Sequence, residues 1–166
     1  MAESDAVVIR PARPEEYHEL GELLVTAYRS LPGPSEGEEY EATLRDIADR
    51  AETCLVLAAE LDGRLVGAAT YVPGPGPYEE RHDPDAGSIR MVGVHPSARG
   101  RGAGRALVEA CIAEARAAGR SRVRLSTRTV MTVAQGMYER IGFRREPEDD
   151  WSPTPEIDLL GYVLEL

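Results

Sequence analysis

The chain has 166 residues, 42% of them hydrophobic and 29% charged, which suits one globular domain over residues 1–166 and excludes collagen-like or disordered chains. Its formal net charge of −10 argues against nucleic acid as a partner. All 19 basic residues are arginine. The absence of lysine removes P-loop nucleotide binding and Schiff-base chemistry, both of which need the amine.

Along the chain, period-two segments alternate with helical ones, the signature of an α/β or α+β fold. The first ten residues carry no basic region followed by an apolar stretch, so no secretory signal is expected. The longest apolar runs, Cys54–Ala59 and Leu65–Val72, are far too short to span a membrane. Val7–Arg10 reads as a first strand. Pro14, Glu15 and Glu16 open a helix, proline in the first turn and acids at its positive end. Tyr17, Leu20, Leu24 and Ala27 continue it at helical spacing until Pro32-Gly33-Pro34 breaks the chain. Tyr40, Leu44, Ile47 and Ala51 mark a second helix.

Cys54–Glu60 and Arg64–Val72 form a hairpin across Asp62-Gly63. Pro73–Gly87 is a loop of about 15 residues, longer than a plain connector, which hints at a binding role. Ser88–Val94 is a strand in which Gly93 suggests a bulge. Gly102–Ala118 is a helix ended by Gly119, and Val123–Thr127 the next strand. Thr132-Val133-Ala134-Gln135 fits a capping box opening a last helix that Gly142 stops. Phe143–Glu146 and Tyr162–Leu166 complete a sheet of about six or seven strands, with no disordered tail expected. Cys54 and Cys111 read as buried free thiols of a reducing cytoplasm. The three histidines follow no ligand spacing, so no metal site is expected.

The most informative segment runs from Val92 to Val108: strand, glycine-rich turn, helix. Gly100, Gly102 and Gly104 let the backbone approach a ligand closely, and the helix N-terminus offers unpaired N–H groups. Arg99, Arg101 and Arg105 add full charges, making a site for a phosphate or pyrophosphate. G-x-G-x-x-G fails in either register, because Arg105 or Leu107 stands where the third glycine is needed.

The pattern that fits is R-x-x-G-x-G, here Arg99-Gly100-Arg101-Gly102-Ala103-Gly104. It resembles the acetyl-CoA motif of the GNAT superfamily of N-acetyltransferases. Val94-His95-Pro96 resembles the V-x-P element before that motif. Ala134 to Phe143 resembles the family's A-x-x-L-Y-E-x-x-G-F helix and strand. The resemblance is strongest over residues 88–146. It implies a mixed, mostly antiparallel α/β sheet with helices on both faces, whose two central strands splay apart around the pantetheine arm of acetyl-CoA.

By the same resemblance, Met91, Val92 and Val94 lie along the pantetheine, and the N–H groups from Gly100 to Arg105 hold the pyrophosphate. Tyr138 becomes the general acid that protonates the departing thiolate; the plain alternative is a core tyrosine bonded to backbone. The implied reaction is direct attack of a primary amine on the thioester, without an acetyl-enzyme, in the cytoplasm. The acceptor is a small-molecule or peptide amine, and a homodimer is common in the family.

Two departures stand out. Met131 replaces an asparagine often found three residues before the motif alanine. No acid lies between Ser88 and Val94, where the family often carries a glutamate that activates the amine. The general base is therefore open among loop groups: Glu79, Glu80, His82 and Asp83 before the strand, or Glu38 and Glu39 at the second helix. Pro147–Leu160 reads as an acidic connector with Trp151 packed down; the alternative is a cation–π contact with the amine. The function of a different class is an acyl-CoA-binding or sensing module without catalysis.

Overall fold

A computed structural model describes residues 6–166. The readings that touch the first five residues lie outside it. Strand β1 (Val8–Pro11) leads through a 3₁₀ turn at Pro14–Glu16 into helix α1 (Tyr17–Arg29). Arg10 fastens this entry, donating to Glu16 at 2.7 Å and to Glu60 at 2.5 Å. Helices α2 (Glu38–Arg45) and α3 (Ile47–Thr53) follow, then β2 (Leu55–Leu61) and β3 (Arg64–Val72). Asp62 and Gly63 both have positive φ, 52° and 75°, the mirror-image turn that matches strand twist.

Next come β4 (Ala86–Val94), α4 (Ala103–Ala117), β5 (Arg122–Arg128) and α5 (Thr132–Ile141). Three strands finish the chain: β6 (Arg144–Arg145), β7 (Trp151–Thr154) and β8 (Ile157–Glu165). The sheet has eight strands in the order β1-β2-β3-β4-β5-β8-β6, with β7 added on β8. Only β4 and β5 pair parallel. Helices cover both faces. Leu20, Leu24, Leu44 and Ile47 of α1–α3 make one core, and Leu107, Val108, Cys111 and Tyr138 of α4 and α5 belong to the other.

Four readings of the sequence need correction. The second helix is two helices, because Asp46 leaves helical geometry (φ −83°, ψ 63°) and its carboxylate accepts from the Asp49 N–H at 3.2 Å. The fully buried Arg50 fills the notch, donating to the carbonyls of Thr43 and Leu44 and to Thr70 Oγ1. Pro147–Leu160 is no connector: it contains β7 and the start of β8, raising the strand count to eight. Pro153, which has no N–H to donate, fits there because β7 is an edge strand.

The capping box at Thr132 does not form. Met131 is the N-cap without a side-chain capping bond, and Gln135 reaches back to the carbonyls of Arg128 (3.0 Å) and Thr129 (3.1 Å). Finally, the β4 bulge falls at Met91–Val92, not Gly93, since Ala68 opposes Gly93 and Thr70 opposes Arg90. Gly93 is small for another reason: a β-carbon there would meet Leu24 Cδ2 of α1 at 2.8 Å. Among the described residues no helix is long and apolar enough to cross a membrane, and no group of three metal-binding side chains occurs.

Candidate active site at the β4–β5 splay

The bulge sets the site. Met91 has φ 54°, a left-handed conformation uncommon for a side chain of its size. Two residues of β4 then face one of β3, and the alternation of side chains resets. Ile89 packs in the α4–α5 core, Met91 in the α1–α3 core, and Val92 and Val94 return to the α4–α5 core.

The parallel pairing of β4 with β5 covers only Ala86–Ile89 against Arg122–Leu125. Beyond it the two strands part, although β4 continues to Val94 and β5 to Arg128. The β5-facing edge of residues 90–94 therefore has no ladder partner. Backbone polar groups at such depth need one, and an extended ligand can supply it.

The free stretch of β4 runs directly into the glycine turn. The His95 N–H donates to Val66 O at 2.7 Å, and one 3₁₀ turn at Pro96–Ala98 redirects the chain. Gly100 (φ 78°) and Gly102 (φ 89°) take left-handed conformations, and a β-carbon on either would meet nothing within 4 Å. These glycines are thus required by backbone geometry and leave open space above the turn. Gly102 caps α4 with no side-chain bond, and the first turn holds no acid. The positive end of the helix dipole and its first N–H groups face that space.

The flanking arginines do less than their sequence suggests. The Arg99 guanidinium is held by Ser30 Oγ (2.5 Å) and Ala27 O (3.3 Å), so it closes the C-terminus of α1. Arg105 pairs with Glu109 one helical turn on, at 2.8 Å. Arg101 lies 3.9 Å from Asp62. What the turn offers to the open space is chiefly the backbone N–H groups at the start of α4.

At the open end of the splay lies a cavity of roughly 220 Å³. Ile89, Met91, Val92, Leu125 and Thr127 of the two strands line it together with Tyr138, Tyr28, Glu36 and Tyr40. Tyr138 is buried, its ring edge-on to Phe143 at 5.8 Å. No protein group among the described residues hydrogen-bonds its hydroxyl. Burial, with a small contribution from Cys111, pushes this phenol well above its ordinary value. Met131 accepts from Thr127 Oγ1 through sulfur at 3.7 Å.

The expected acceptor-side residues separate. Glu80 and Trp151 line this cavity and also a second one of roughly 330 Å³ beside Arg124 and Ser126. Trp151 is 44% exposed on β7, not packed down. Glu80 lies 3.3 Å from Arg90; burial raises its carboxyl, and Arg90 opposes that rise. Glu38 and Glu39 are exposed on α2 and line neither cavity. His82 is exposed as well, 3.4 Å from Glu79, and Asp83 is tied to Arg122 and Arg124. Glu36, Tyr28, Tyr40 and Arg90 line the cavity without having been singled out by any motif. Neither cysteine does: Cys111 is buried in the core with its thiol pushed up to about 12, and Cys54 is half-buried rather than buried.

Comparison with known proteins agrees with this geometry. The model of the acetyltransferase (GNAT) family matches residues 17–143. Mycothiol acetyltransferase of Gordonia bronchialis is 41% identical over 81 residues, which cover 49% of this chain and 26% of that protein. The Rhodococcus erythropolis mycothiol acetyltransferase is 41% identical over 146 residues, covering 85% and 48%. The chain thus spans about a quarter to a half of the length of these curated relatives.

Among solved structures, yncA from Salmonella typhimurium with its cofactor acetyl-CoA superimposes with a TM-score of 0.71 at 21% identity, covering 97% of this chain and 94% of that one. The ribosomal-protein-alanine N-acetyltransferase of Brucella melitensis gives 0.73 at 23%, covering 96% and 99%. These likenesses establish the fold. With the family match spanning most of the sequence, the chain belongs to the acetyltransferase (GNAT) family.

Proposed function

We propose that this chain moves an acetyl group from acetyl-CoA to a primary amine by direct attack within a ternary complex. The observation that carries the reading is the splay itself: an unpaired strand edge at residues 90–94 that ends over the acid-free N-terminus of α4. An extended pantetheine arm can complete the edge along Met91, Val92 and Val94. The pyrophosphate then meets the N–H groups from Gly100 to Arg105, with Ala103 and Gly104 in the first helical turn. The thioester end comes to lie in the cavity that Tyr138 walls.

The amine adds to the thioester carbonyl carbon, and the carbon–sulfur bond breaks as the carbonyl re-forms. The departing thiolate takes the Tyr138 hydroxyl proton. A phenol kept protonated by burial and free of other hydrogen bonds suits that step. The acceptor is a primary amine that fits a part-aromatic, part-charged cavity. The names of the curated relatives add mycothiol-related amines to small amines and peptide N-termini as acceptors to test.

The reading is tested by thermal denaturation with and without acetyl-CoA, then by thiol release with a panel of amines. At 100 times its Kd the ligand adds about 2.7 kcal/mol, a rise of roughly 5–10 °C for a domain of this size. Gly102→Val, strained at φ 89°, is expected to stay folded and lose that rise. Absence of a rise in the wild type would overturn the proposal. A rise without turnover on any amine would identify a binding module instead.

A further inference from the structure

With acetyl transfer to an amine as the reaction, one proton acceptor is missing from the strand where the family often keeps it. The cavity contains a group that no motif marks. Glu36 sits in the short segment between α1 and α2 and lines the same cavity as Tyr138. Its Oε2 is buried and has no hydrogen-bond partner, an arrangement that costs free energy unless a ligand supplies the donor.

The segment is held from across the splay. Arg128, on the free end of β5, donates to Pro34 O at 2.7 Å. Gly33, in a left-handed turn (φ 86°), lies over that same guanidinium, its would-be β-carbon 3.6 Å from Arg128 Nη2. Glu36 is therefore fixed in the cavity by the strand that forms the cavity's other rim.

We propose that Glu36 is the proton acceptor for the acceptor amine, first receiving its ammonium and then taking its proton. The inference rests on the acetyltransferase reading above. The proton balance closes. An ammonium gives one proton to Glu36, and the freed lone pair forms the carbon–nitrogen bond. The thiolate leaves with the proton of Tyr138. The second nitrogen proton, lost as the amide forms, restores Tyr138, and Glu36 discharges its proton to solvent.

The surroundings of Glu36 suit this role. Tyr28 of α1, Tyr40 of α2 and Tyr138 of α5 are the phenols of the same cavity, and all three are raised by burial. Arg128 of β5 and Arg90 of β4 draw the Glu36 carboxyl down, while Glu80 of the preceding loop pushes it up. Burial is the largest influence and leaves the carboxyl above its ordinary range, closer to the value useful for a base at neutral pH.

The experiment measures thiol release from acetyl-CoA with benzylamine, 1,4-diaminobutane and alanine amide between about pH 5 and 9, for wild type, Glu36→Gln and Glu36→Asp. Wild type is expected to rise with pH and then level off above the Glu36 pKa. Glu36→Gln is expected to fall about 10²-fold near neutrality and to keep rising with pH, because only solvent removes the proton. Glu36→Asp is expected to retain a levelling-off at reduced rate. Acetyl-CoA affinity, read by thermal shift, should be unchanged in both variants.

Glu36→Gln removes a buried charge of the same shape, so its melting temperature should match or exceed wild type. A Glu36→Gln rate within about threefold of wild type, with the same profile, would overturn the inference while leaving the acetyltransferase reading intact. Thiol release with no amine from a wild type that binds acetyl-CoA would overturn both.

Discussion

Tyr138 and Glu36 show what a single residue gains from its surroundings. Tyr138 stands at the position the family motif marks, yet the motif says nothing about whether its hydroxyl is occupied. Only the packed structure leaves that hydroxyl without a hydrogen-bond partner among the described residues while burying the ring against Phe143 and Tyr162. Tyr138→Phe is expected to lower kcat by about 10²-fold or more, the usual range for losing a general acid. Acetyl-CoA affinity should not change; an unchanged kcat with the best amine would remove the assignment. Glu36 carries no such mark. Glu38 and Glu39, two and three residues on, look equally suitable in the sequence, and helical phase turns them to solvent.

At the scale of the element, the break between α2 and α3 is built around one buried cation. Arg50 is fully buried and has no acid partner among the described residues; it donates to the carbonyls of Thr43 and Leu44 at the end of α2 and to Thr70 on β3. Desolvation lowers its pKa, and the carbonyl end of the helix dipole offsets part of that cost. Arg50→Met would take the donor from the Leu44 carbonyl and Thr70 Oγ1 and leave the Thr43 carbonyl only the Asp46 N–H. It is expected to cost about 3 kcal/mol, or roughly 6–12 °C in Tm, checked by thermal and urea denaturation. Because α2 carries Tyr40 into the cavity, the acceptor KM should rise more than the acetyl-CoA Kd. The sequence shows the apolar spacing of this region and not its interruption, since the reason for the break lies across the sheet.

Across the whole molecule, part-buried ion pairs tie distant segments together and set the acid limit of stability. Asp83, in the loop before β4, binds Arg122 (2.9 Å) and Arg124 (2.7 Å) of β5. Arg124 also reaches Asp149 beside β7 at 2.7 Å. Burial alone would raise the Asp83 carboxyl, but the two guanidiniums hold it at about 2. Arg10 likewise holds Glu16 at about 2. Both values are depressed below the unfolded ones, near 4. Their stabilisation is therefore complete above about pH 5 and is lost as pH falls from about 4 towards 2. Tm should drop steeply in that window. Asp83→Asn should cost about 2 kcal/mol at neutral pH and converge on wild type as the acid limit is approached, as a pH series of melting curves would show.

The sequence by itself determined most of the order of elements, the hairpin at Asp62-Gly63 and the glycine turn over α4, which rest on local chemistry: periodicity, positive-φ turn residues and a helix N-terminus without an acid. The family was legible through the resemblance of two motifs, Arg99–Gly104 and Ala134–Phe143. The sequence did not reveal β7, because a short edge strand containing Pro153 carries no strand pattern of its own and exists only by pairing with β8. Tertiary structure also decided the placement of the bulge at Met91–Val92, which depends on the register with β3. It tied Arg99 to the C-terminus of α1, and it brought Glu36 rather than Glu38 or Glu39 into the cavity. Each of these depends on contacts between residues far apart in the chain, and no local pattern encodes which distant partner a side chain will meet.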